Sequence, residues 1–224
     1  MQLDFQGAIF DADGTLLDSM HVWRNLGSLY LQSRGITPEK GLSARLWPMS
    51  YAQGCAYIRE HYGLHESVSD IQEGISRMID GFYRNEAELK PGVREFLEVL
   101  RHRDIHMVIA TSGDRELLQA ALTRNGIAEY FDSIFTCSEL GTDKHHTKIF
   151  MACAEALGLM PGNVAVFEDV LYAIETAKNA GFITYGVYDA ASINDRERII
   201  FTADYYIDDW RKFSGEDSIN DSRQ

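Results

Sequence analysis

The chain contains three short apolar runs, each of which stops abruptly at a polar residue: residues 8–10, 107–110 and 164–167. The polar residues that follow them are Asp11, Thr111 and Glu168. Runs this short and apolar throughout are typical of strands buried on both faces of a parallel sheet. Three further runs are also strand candidates: residues 133–136, 183–187 and 204–207. The sequence therefore predicts a parallel sheet of six strands.

Amphipathic helical patterns separate these predicted strands. Asp114 can cap a helix that ends before Gly126, and Thr147 can cap another that ends before Gly158. A third helical pattern begins at Asp169 or a neighbouring residue. Strands that alternate with helices in this way predict βαβ units and a doubly wound α/β sheet. Ligands of such sheets bind beyond the carboxyl ends of the strands, which is where the polar residues after the apolar runs lie.

One long segment breaks the alternation, because it contains helical patterns and no convincing strand: residues 19–34, 38–47, 50–62 and 69–85. Pro91 and Gly92 mark the return to the alternating pattern. A chain of 224 residues is long enough for one large domain and a small accessory one. We therefore predict an α/β core domain formed by residues 1–16 and 89–224. A small all-helical cap domain, residues 17–88, is inserted after the first strand.

Charge and cysteine content exclude several classes of protein. The formal net charge is −13, and such a surface repels nucleic acid and anionic lipid. No apolar run approaches the length of a membrane span. Cys55, Cys137 and Cys153 stand far apart, form no metal-binding pair and suit a reducing compartment. We expect a cytoplasmic protein that acts on a small molecule, with no nucleic-acid or membrane partner, and we take a monomer as the default.

Asp11 and Asp13 stand two residues apart at the end of the first predicted strand. If the extended backbone continues, both carboxylates point to the same side, where they repel one another unless a cation or a shared proton offsets the charge. Mg²⁺ prefers such oxygen ligands. One carboxylate could then attack an electrophile while the other transfers protons. A lone pair of this kind is usually a solvated turn, so its meaning depends on the other strand ends.

The other strand ends carry complementary chemistry. Residues 111–113 are Thr-Ser-Gly, which offer a hydroxyl and successive backbone N–H groups ahead of a helix, an arrangement that can bind phosphate. Glu168 and Asp169 supply further carboxylates. Lys144 lies in a predicted loop, where its charge could neutralise a phosphate group. Each feature is common by itself, and the combination points to phosphoryl chemistry.

These four pieces occur in the order that characterises a known family. The sequence resembles the haloacid dehalogenase superfamily: FDADGTLLDS is similar to its opening motif, IATSG to the second, Lys144 to the third and VFEDV to the fourth. Within the superfamily, the chain resembles the branch of β-phosphoglucomutases and phosphoglycolate phosphatases, whose members have a helical cap after the first strand. The resemblance extends from residue 7 to about residue 210.

The resemblance implies a role for each matching position in a Mg²⁺-dependent phosphatase that acts on a small phosphate ester. Asp11 would be the nucleophile that forms an aspartyl-phosphate, and Asp13 would protonate the leaving group and then activate water. Asp11, the backbone carbonyl of Asp13 and Asp169 would hold Mg²⁺, with Glu168 supporting or sharing it. The phosphoryl group would be bound by four residues: Thr111, Ser112, Gly113 and Lys144.

The third motif departs from the pattern of this branch. The branch usually has Lys-Pro-x-Pro-Asp, whereas residues 144–148 here are Lys-His-His-Thr-Lys. Lys148 is therefore an alternative to Lys144 as the phosphate-binding lysine. We interpret His145 and His146 as polar loop residues rather than ligands.

Two alternative functions fit the same core motifs. The first is a β-phosphoglucomutase-like mutase. Those enzymes have a cap histidine where this chain has Trp23. They also have a cap lysine and a cap arginine at the positions where an ungapped alignment places Trp47 and Tyr51. The second is a phosphate-binding or sensing module of the same fold without turnover. A dehalogenase is disfavoured because that branch lacks an acid at the position of Asp13. We expect substrate specificity to come from the cap, around residues 46–51 and the helix that carries His21 and Trp23.

Overall fold

In the computed structural model, which describes residues 4–213, one sheet of six parallel strands forms the centre of the α/β unit. The strands are β1 (Gly7–Phe10), β2 (His106–Thr111), β3 (Ser133–Thr136), β4 (Val164–Glu168), β5 (Ile183–Val187) and β6 (Tyr205–Ile207). Their order across the sheet is β3-β2-β1-β4-β5-β6. All six predicted strands are present, and the predicted doubly wound α/β fold is confirmed.

Eleven α-helices occur within residues 4–213: α1 (Met20–Trp23), α2 (Leu26–Ser33), α3 (Leu42–Leu46), α4 (Tyr51–His61), α5 (Val68–Asn85), α6 (Val93–His102), α7 (Arg115–Arg124), α8 (Cys137–Leu140), α9 (Lys148–Leu157), α10 (Leu171–Asn179) and α11 (Arg196–Thr202). Each of these is too short or too polar to cross a bilayer. Helices α6, α8 and α11 were not predicted from the sequence.

The chain packs as two compact units. The α/β unit contains the described residues up to Asp18 and those from Ala87 onward, and the helical unit is Ser19–Glu86. Each unit has a hydrophobic core of its own. In the helical unit the core is built around Tyr30, Leu31 and Ile71. The assignment of residues 17–88 as a separate cap domain stays a prediction, since compact packing does not by itself show independent folding.

Two of the predicted helices in this segment differ from those in the structure. The pattern over residues 19–34 predicted one helix, but α1 and α2 are separated at Arg24 and Asn25. The Asn25 side chain donates a hydrogen bond to the carbonyl of His21, 2.8 Å away, and Asn25 has ψ 14° instead of helical dihedrals. Such local side-chain bonding competes with helix continuation. The helix predicted from residue 38 begins only at Leu42, after Gly41 in the left-handed region.

The capping predictions in the α/β unit are confirmed at Asp114 and need correction at Thr147. Asp114 Oδ1 accepts hydrogen bonds from the N–H groups of Glu116 and Leu117, at 2.8 and 3.1 Å. Thr147 occupies the N-cap position of α9, but its side chain makes no capping hydrogen bond. Its backbone is already near-helical, with φ −68° and ψ −13°, whereas a capping side chain normally requires an extended N-cap residue.

A row of aromatic side chains crosses one face of the sheet on four neighbouring strands, β1, β4, β5 and β6. The register pairs Phe10 with Phe167, Phe167 with Tyr185, and Tyr185 with Tyr205. Their rings stack with centroid separations of 4.5, 4.6 and 4.7 Å. Trp210 packs beside Phe167, with its ring centroid 5.8 Å away. On β1 and β4 this layer lies directly before Asp11 and Glu168.

We expect Phe167→Ala to lower the free energy of unfolding by about 3–5 kcal/mol, because it opens a cavity in the middle of the aromatic row. Phe167 is fully buried, at 0% exposure. Phe201→Ala is the matched control, since Phe201 is 92% exposed, and it should change stability by less than about 0.5 kcal/mol. Urea unfolding of both variants measures the difference. If Phe167→Ala changed the free energy of unfolding as little as Phe201→Ala does, the aromatic row would contribute little to the stability of the core.

Candidate active site

The register of the sheet brings two acidic strand ends together. Phe10 pairs with Phe167, and the N–H of Asp11 donates to the carbonyl of Phe167 at 2.9 Å, so Asp11 and Glu168 leave adjacent strands at the same level. After β3 the chain crosses to the other side of β1 to form β4. In doubly wound sheets this change of direction opens a crevice beyond the carboxyl ends of the strands. Asp11 and Glu168 lie on its two sides.

Three buried carboxylates converge at this point. Asp11, Glu168 and Asp169 each have an oxygen within 4.8 Å of the others. Burial, followed by the charge of Asp11, raises the pKa of Glu168 to about 7, although Lys144 opposes the shift. Burial, followed by the charge of Glu168, likewise raises the pKa of Asp169 well above its usual range. The cluster therefore holds more negative charge than its surroundings stabilise.

Lys144 is the lysine that the structure brings into the cluster. Its side chain is 3% exposed, and Nζ donates to Asp11 Oδ1 and to Glu168 Oε2, the latter at 2.7 Å. Burial lowers the pKa of Lys144, but the charges of Asp11 and Glu168 outweigh burial and raise it above the ordinary lysine value. Lys148, the predicted alternative, is directed elsewhere and donates to the carbonyl of Leu140.

The residues of the cluster fit a magnesium ion. The donors are carboxylate oxygens, which Mg²⁺ prefers, and Lys144 pairs with two of the three carboxylates, those of Asp11 and Glu168. A divalent cation would offset the remaining repulsion, which adds to burial in raising the pKa of Asp169. The carboxylate of Asp13 does not belong to this group of three.

Asp13 lies in a tight turn that follows β1. The N–H groups of Leu16 and Leu17 both donate to the carbonyl of Ala12 at 2.9 Å, and Gly14 has φ 85°, a conformation that favours glycine. The turn places the Asp13 carboxylate beside residues 111–113. A Cβ atom added to Gly113 would lie 3.2 Å from Asp13 Oδ2 and 3.2 Å from Thr111 Oγ1. A glycine at this position keeps that space open.

The Thr-Ser-Gly segment at the end of β2 uses part of its hydrogen-bonding capacity internally. Thr111 is buried, and its Oγ1 accepts a hydrogen bond from the N–H of Gly113 at 2.9 Å. Ser112 Oγ lies 3.6 Å from the Sγ of Cys137. The predicted phosphate cradle of successive N–H groups therefore has one of its donors, that of Gly113, engaged by Thr111.

The two histidines beside Lys144 have contacts of their own. The ring of His145 stacks on Tyr172, with a centroid separation of 4.0 Å and an interplanar angle of 17°. His146 Nδ1 lies 2.8 Å from Asp143 Oδ1 and is exposed. These contacts are compatible with polar loop residues.

Several polar contacts around Asp169 could not be predicted from the sequence motifs. Thr15 Oγ1 donates to Asp169 Oδ1, and Ser192 Oγ donates to Asp169 Oδ2, both at 3.4 Å. Lys90 and Asp189 form a nearby ion pair, with Nζ 2.8 Å from Oδ2. Asp189 could have been found from the sequence, because it follows β5 at the same edge of the sheet as Asp11 and Glu168.

The helical unit contains a largely apolar cavity of about 260 Å³. Trp23, Trp47 and Tyr51, which are residues of the predicted specificity region, contribute to its wall. Trp47 is 62% exposed, and the guanidinium of Arg24 lies 5.2 Å from its ring centroid. Trp47 therefore is not a core residue of this unit.

Buried carboxylates and a lysine at the crevice of an all-parallel sheet define an α/β enzyme with a charged, oxygen-rich active site. The model of the haloacid dehalogenase-like hydrolases matches residues 8–187, and the chain belongs to that family. This confirms the family predicted from the four motifs.

Relatives and solved structures are similar to the chain over most of its length. The chain is 26% identical over 196 residues to a phosphorylated carbohydrates phosphatase of Thermotoga maritima, covering 87% of this chain and 90% of the relative. Its fold is similar to that of a putative beta-phosphoglucomutase from Thermotoga maritima, with a TM-score of 0.80, 23% identity and coverage of 94% and 97%. A predicted phosphoglycolate phosphatase from Haemophilus somnus 129pt has a TM-score of 0.73, with 19% identity and coverage of 95% and 97%.

Proposed function

We propose that this protein is a Mg²⁺-dependent phosphatase that hydrolyses a small phosphorylated metabolite through an aspartyl-phosphate on Asp11. One observation carries the proposal: Asp11 directly follows the central strand β1 and lies in a buried cluster with Lys144, Glu168 and Asp169. Phosphoryl transfer depends on in-line positioning and on neutralising charge, and this cluster supplies a nucleophile together with groups for both tasks.

In the first half of the proposed reaction, an oxygen of Asp11 forms a bond to phosphorus while the bond from phosphorus to the leaving-group oxygen breaks. Asp13, in its protonated form, gives its proton to that oxygen. In the second half, the Asp13 carboxylate takes a proton from water, whose oxygen attacks phosphorus and releases phosphate from Asp11. The turn after β1 places Asp13 near Thr111 and Gly113, next to the segment assigned to the phosphoryl group.

Lys144 has two functions in this proposal. Its ammonium group holds the Asp11 carboxylate in place, and it stabilises the negative charge of the phosphoryl oxygens during transfer. Glu168 bonds the same ammonium group, so we assign it chiefly to orienting Lys144. The hydroxyl of Thr111 and the backbone N–H of Ser112 are the remaining donors proposed for the phosphoryl group.

Asp11, Asp169 and the backbone carbonyl of Asp13 are the residues that we propose hold Mg²⁺, with Glu168 in support. When bound, the ion neutralises charge on the phosphoryl oxygens and on the attacking carboxylate. The proposal accounts for the number of acidic groups in the cluster, which exceeds what Lys144 can balance.

Metal removal should lower turnover severely. We expect EDTA to lower kcat by about 10²–10³-fold or more, since a metal ion contributes several kcal/mol to stabilisation of transition-state charge. Excess Mg²⁺ should restore the rate, whereas Ca²⁺ should support it poorly because its looser coordination misplaces the reacting oxygens. Phosphate release from a phosphorylated sugar, followed at fixed ionic strength, measures all three conditions. Full turnover in EDTA would refute the metal site.

The substrate class that we propose is a singly phosphorylated small molecule such as a sugar phosphate. The Thermotoga maritima relative is named a phosphorylated carbohydrates phosphatase, and another relative is the hexitol phosphatase B of Escherichia coli, 23% identical over 185 residues. We assign discrimination among such substrates to the cavity of the helical unit, where Trp23, Trp47 and Tyr51 line the wall.

Hydrolysis rather than mutase activity is favoured by the same three residues. A phosphosugar mutase must grip a second phosphate group, and charge-assisted hydrogen bonds are the strong way to do so. Trp23, Trp47 and Tyr51 carry no cation at the positions where the related mutases have a histidine, a lysine and an arginine. Arg24 lines the cavity, but its guanidinium is near the Trp47 ring.

The test is to incubate the protein and Mg²⁺ with β-glucose 1-phosphate and a trace of glucose 1,6-bisphosphate, alongside a panel of other sugar phosphates. Release of inorganic phosphate from members of the panel, with little glucose 6-phosphate, is the expected result. Efficient formation of glucose 6-phosphate would establish the mutase instead. Tight phosphate binding without turnover of any ester would establish a sensing module.

A further inference from the structure

Lys90 and Asp189 form a buried ion pair close to the acidic cluster. Lys90 Nζ lies 2.8 Å from Asp189 Oδ2 and donates to the carbonyl of Tyr188 at 2.6 Å. The two side chains are 12% and 7% exposed. The backbone N–H of Lys90 donates to the carbonyl of Leu16 at 2.8 Å, which fixes Lys90 to the segment around Leu16, in the tight turn that follows β1. The pair thus links that segment to the loop after β5.

Asp189 organises the loop after β5. Its Oδ1 accepts a hydrogen bond from the N–H of Ala191 at 2.7 Å, and its carbonyl accepts one from the N–H of Ser192 at 3.1 Å. The resulting tight turn directs the Ser192 hydroxyl to Asp169 Oδ2, 3.4 Å away. A chain of direct contacts therefore runs from Lys90 through Asp189 and Ser192 to Asp169.

We propose that Lys90 and Asp189 are positioning residues for the metal ligand Asp169, and that they act through the hydroxyl of Ser192. This inference rests on the proposed Mg²⁺ site. A carboxylate that binds metal through one oxygen needs its other contacts fixed, and groups that orient a ligand typically change metal affinity by 10- to 100-fold when they are removed. The other oxygen of Asp169 is approached by Thr15 at 3.4 Å, so Ser192 and Thr15 constrain the carboxylate from two sides.

A purely electrostatic role for Lys90 predicts the opposite sign. The positive charge of Lys90 opposes the binding of a cation nearby, so removal of that charge alone would make Mg²⁺ bind more tightly. Loss of the positioning contacts would make Mg²⁺ bind more weakly, because Asp169 would no longer be held in one orientation. The direction of the change therefore separates the two roles.

The test is calorimetric titration of metal-free protein with MgCl₂, which does not depend on turnover. Ser192→Ala and Lys90→Met should each weaken Mg²⁺ binding about tenfold, at the lower end of the usual range because the bond to Asp169 is long. The double variant should bind Mg²⁺ no more weakly than the weaker-binding single variant, since both substitutions act through one contact. Lys90→Arg should retain most of the affinity. Lys178→Met, which breaks the exposed pair between Lys178 and Asp204, is the matched control and should bind as the wild type does.

Thermal unfolding of the same proteins without metal separates positioning from stability. Lys90→Met should unfold at a lower temperature, because it leaves Asp189 buried without its partner, while Ser192→Ala should unfold near the wild-type temperature. Unchanged or tighter Mg²⁺ binding by Lys90→Met or by Ser192→Ala would overturn the positioning role and leave the proposed metal site standing. The same conclusion would follow if the double variant lost Mg²⁺ affinity by the product of the two single losses. Absence of Mg²⁺ binding by the wild type would overturn the proposed metal site and this inference together.

Discussion

Asp11→Asn is expected to remove turnover while leaving the fold intact. The amide has nearly the shape of the carboxylate but cannot attack phosphorus, and loss of a catalytic nucleophile costs on the order of 10⁴–10⁶-fold in kcat. The fold should persist because Lys144 retains Glu168 as a partner at 2.7 Å. Steady-state phosphate release and thermal unfolding of the same preparation measure both effects.

Asp132→Asn is the matched control, since Asp132 is an exposed aspartate paired with His106 in the same unit. It should have wild-type kcat. Substantial turnover by a well-folded Asp11→Asn protein would mean that another carboxylate attacks phosphorus, and the roles of Asp13 and Asp169 would then have to be reassigned.

Lys144→Ala is expected to impair both catalysis and stability. The variant removes the cation that the structure places between Asp11 and Glu168 and leaves buried carboxylates without their partner. Removing one member of a buried ion pair typically costs about 3–5 kcal/mol of stability. The loss of a preorganised charge at the phosphoryl group should lower kcat by about 10²–10³-fold.

Lys148→Ala provides the comparison that decides between the two lysines of the third motif. Lys148 is exposed and donates to the carbonyl of Leu140, so its removal should change kcat and unfolding temperature little. Added Mg²⁺ should recover part of the stability of Lys144→Ala, because the ion offsets repulsion among the same carboxylates. If Lys148→Ala proves the more damaging variant, the phosphate-binding lysine is Lys148.

The centre of the sheet could be predicted because β1, β2 and β4 are short apolar runs that are buried almost throughout. The same reasoning should have found α6, where Val93, Phe96, Leu97 and Leu100 recur at helical spacing and are all buried. The break between α1 and α2 could not be predicted by hydrophobic periodicity. It depends on a hydrogen bond from Asn25 to His21, and periodicity contains no information about such a bond.

The residues of the candidate site were predicted in two different ways. Asp11, Asp13 and Glu168 stand at strand ends, where the topology of a doubly wound sheet places ligand-binding groups. Lys144 could be noted from the sequence as a loop cation, but its role was predicted through its resemblance to the third motif, since a lone loop lysine is usually a solvated surface residue. Lys90 was missed because its partner Asp189 lies far along the chain, and a contact between distant residues becomes visible only when the sheet is assembled.

The central claim is that Asp11 carries the phosphoryl group, and direct trapping of that group tests it. The Asp13→Asn variant is suited to this experiment, because it lacks the base that activates water and should accumulate the aspartyl-phosphate. An aryl phosphate with a stable phenolate as leaving group would still react, since it needs little help from an acid. Rapid acid quenching, borohydride reduction and peptide mass spectrometry then locate the modified residue. Conversion of Asp11 to homoserine is the predicted result, whereas an unmodified Asp11 in protein that has released the phenolate would contradict the claim.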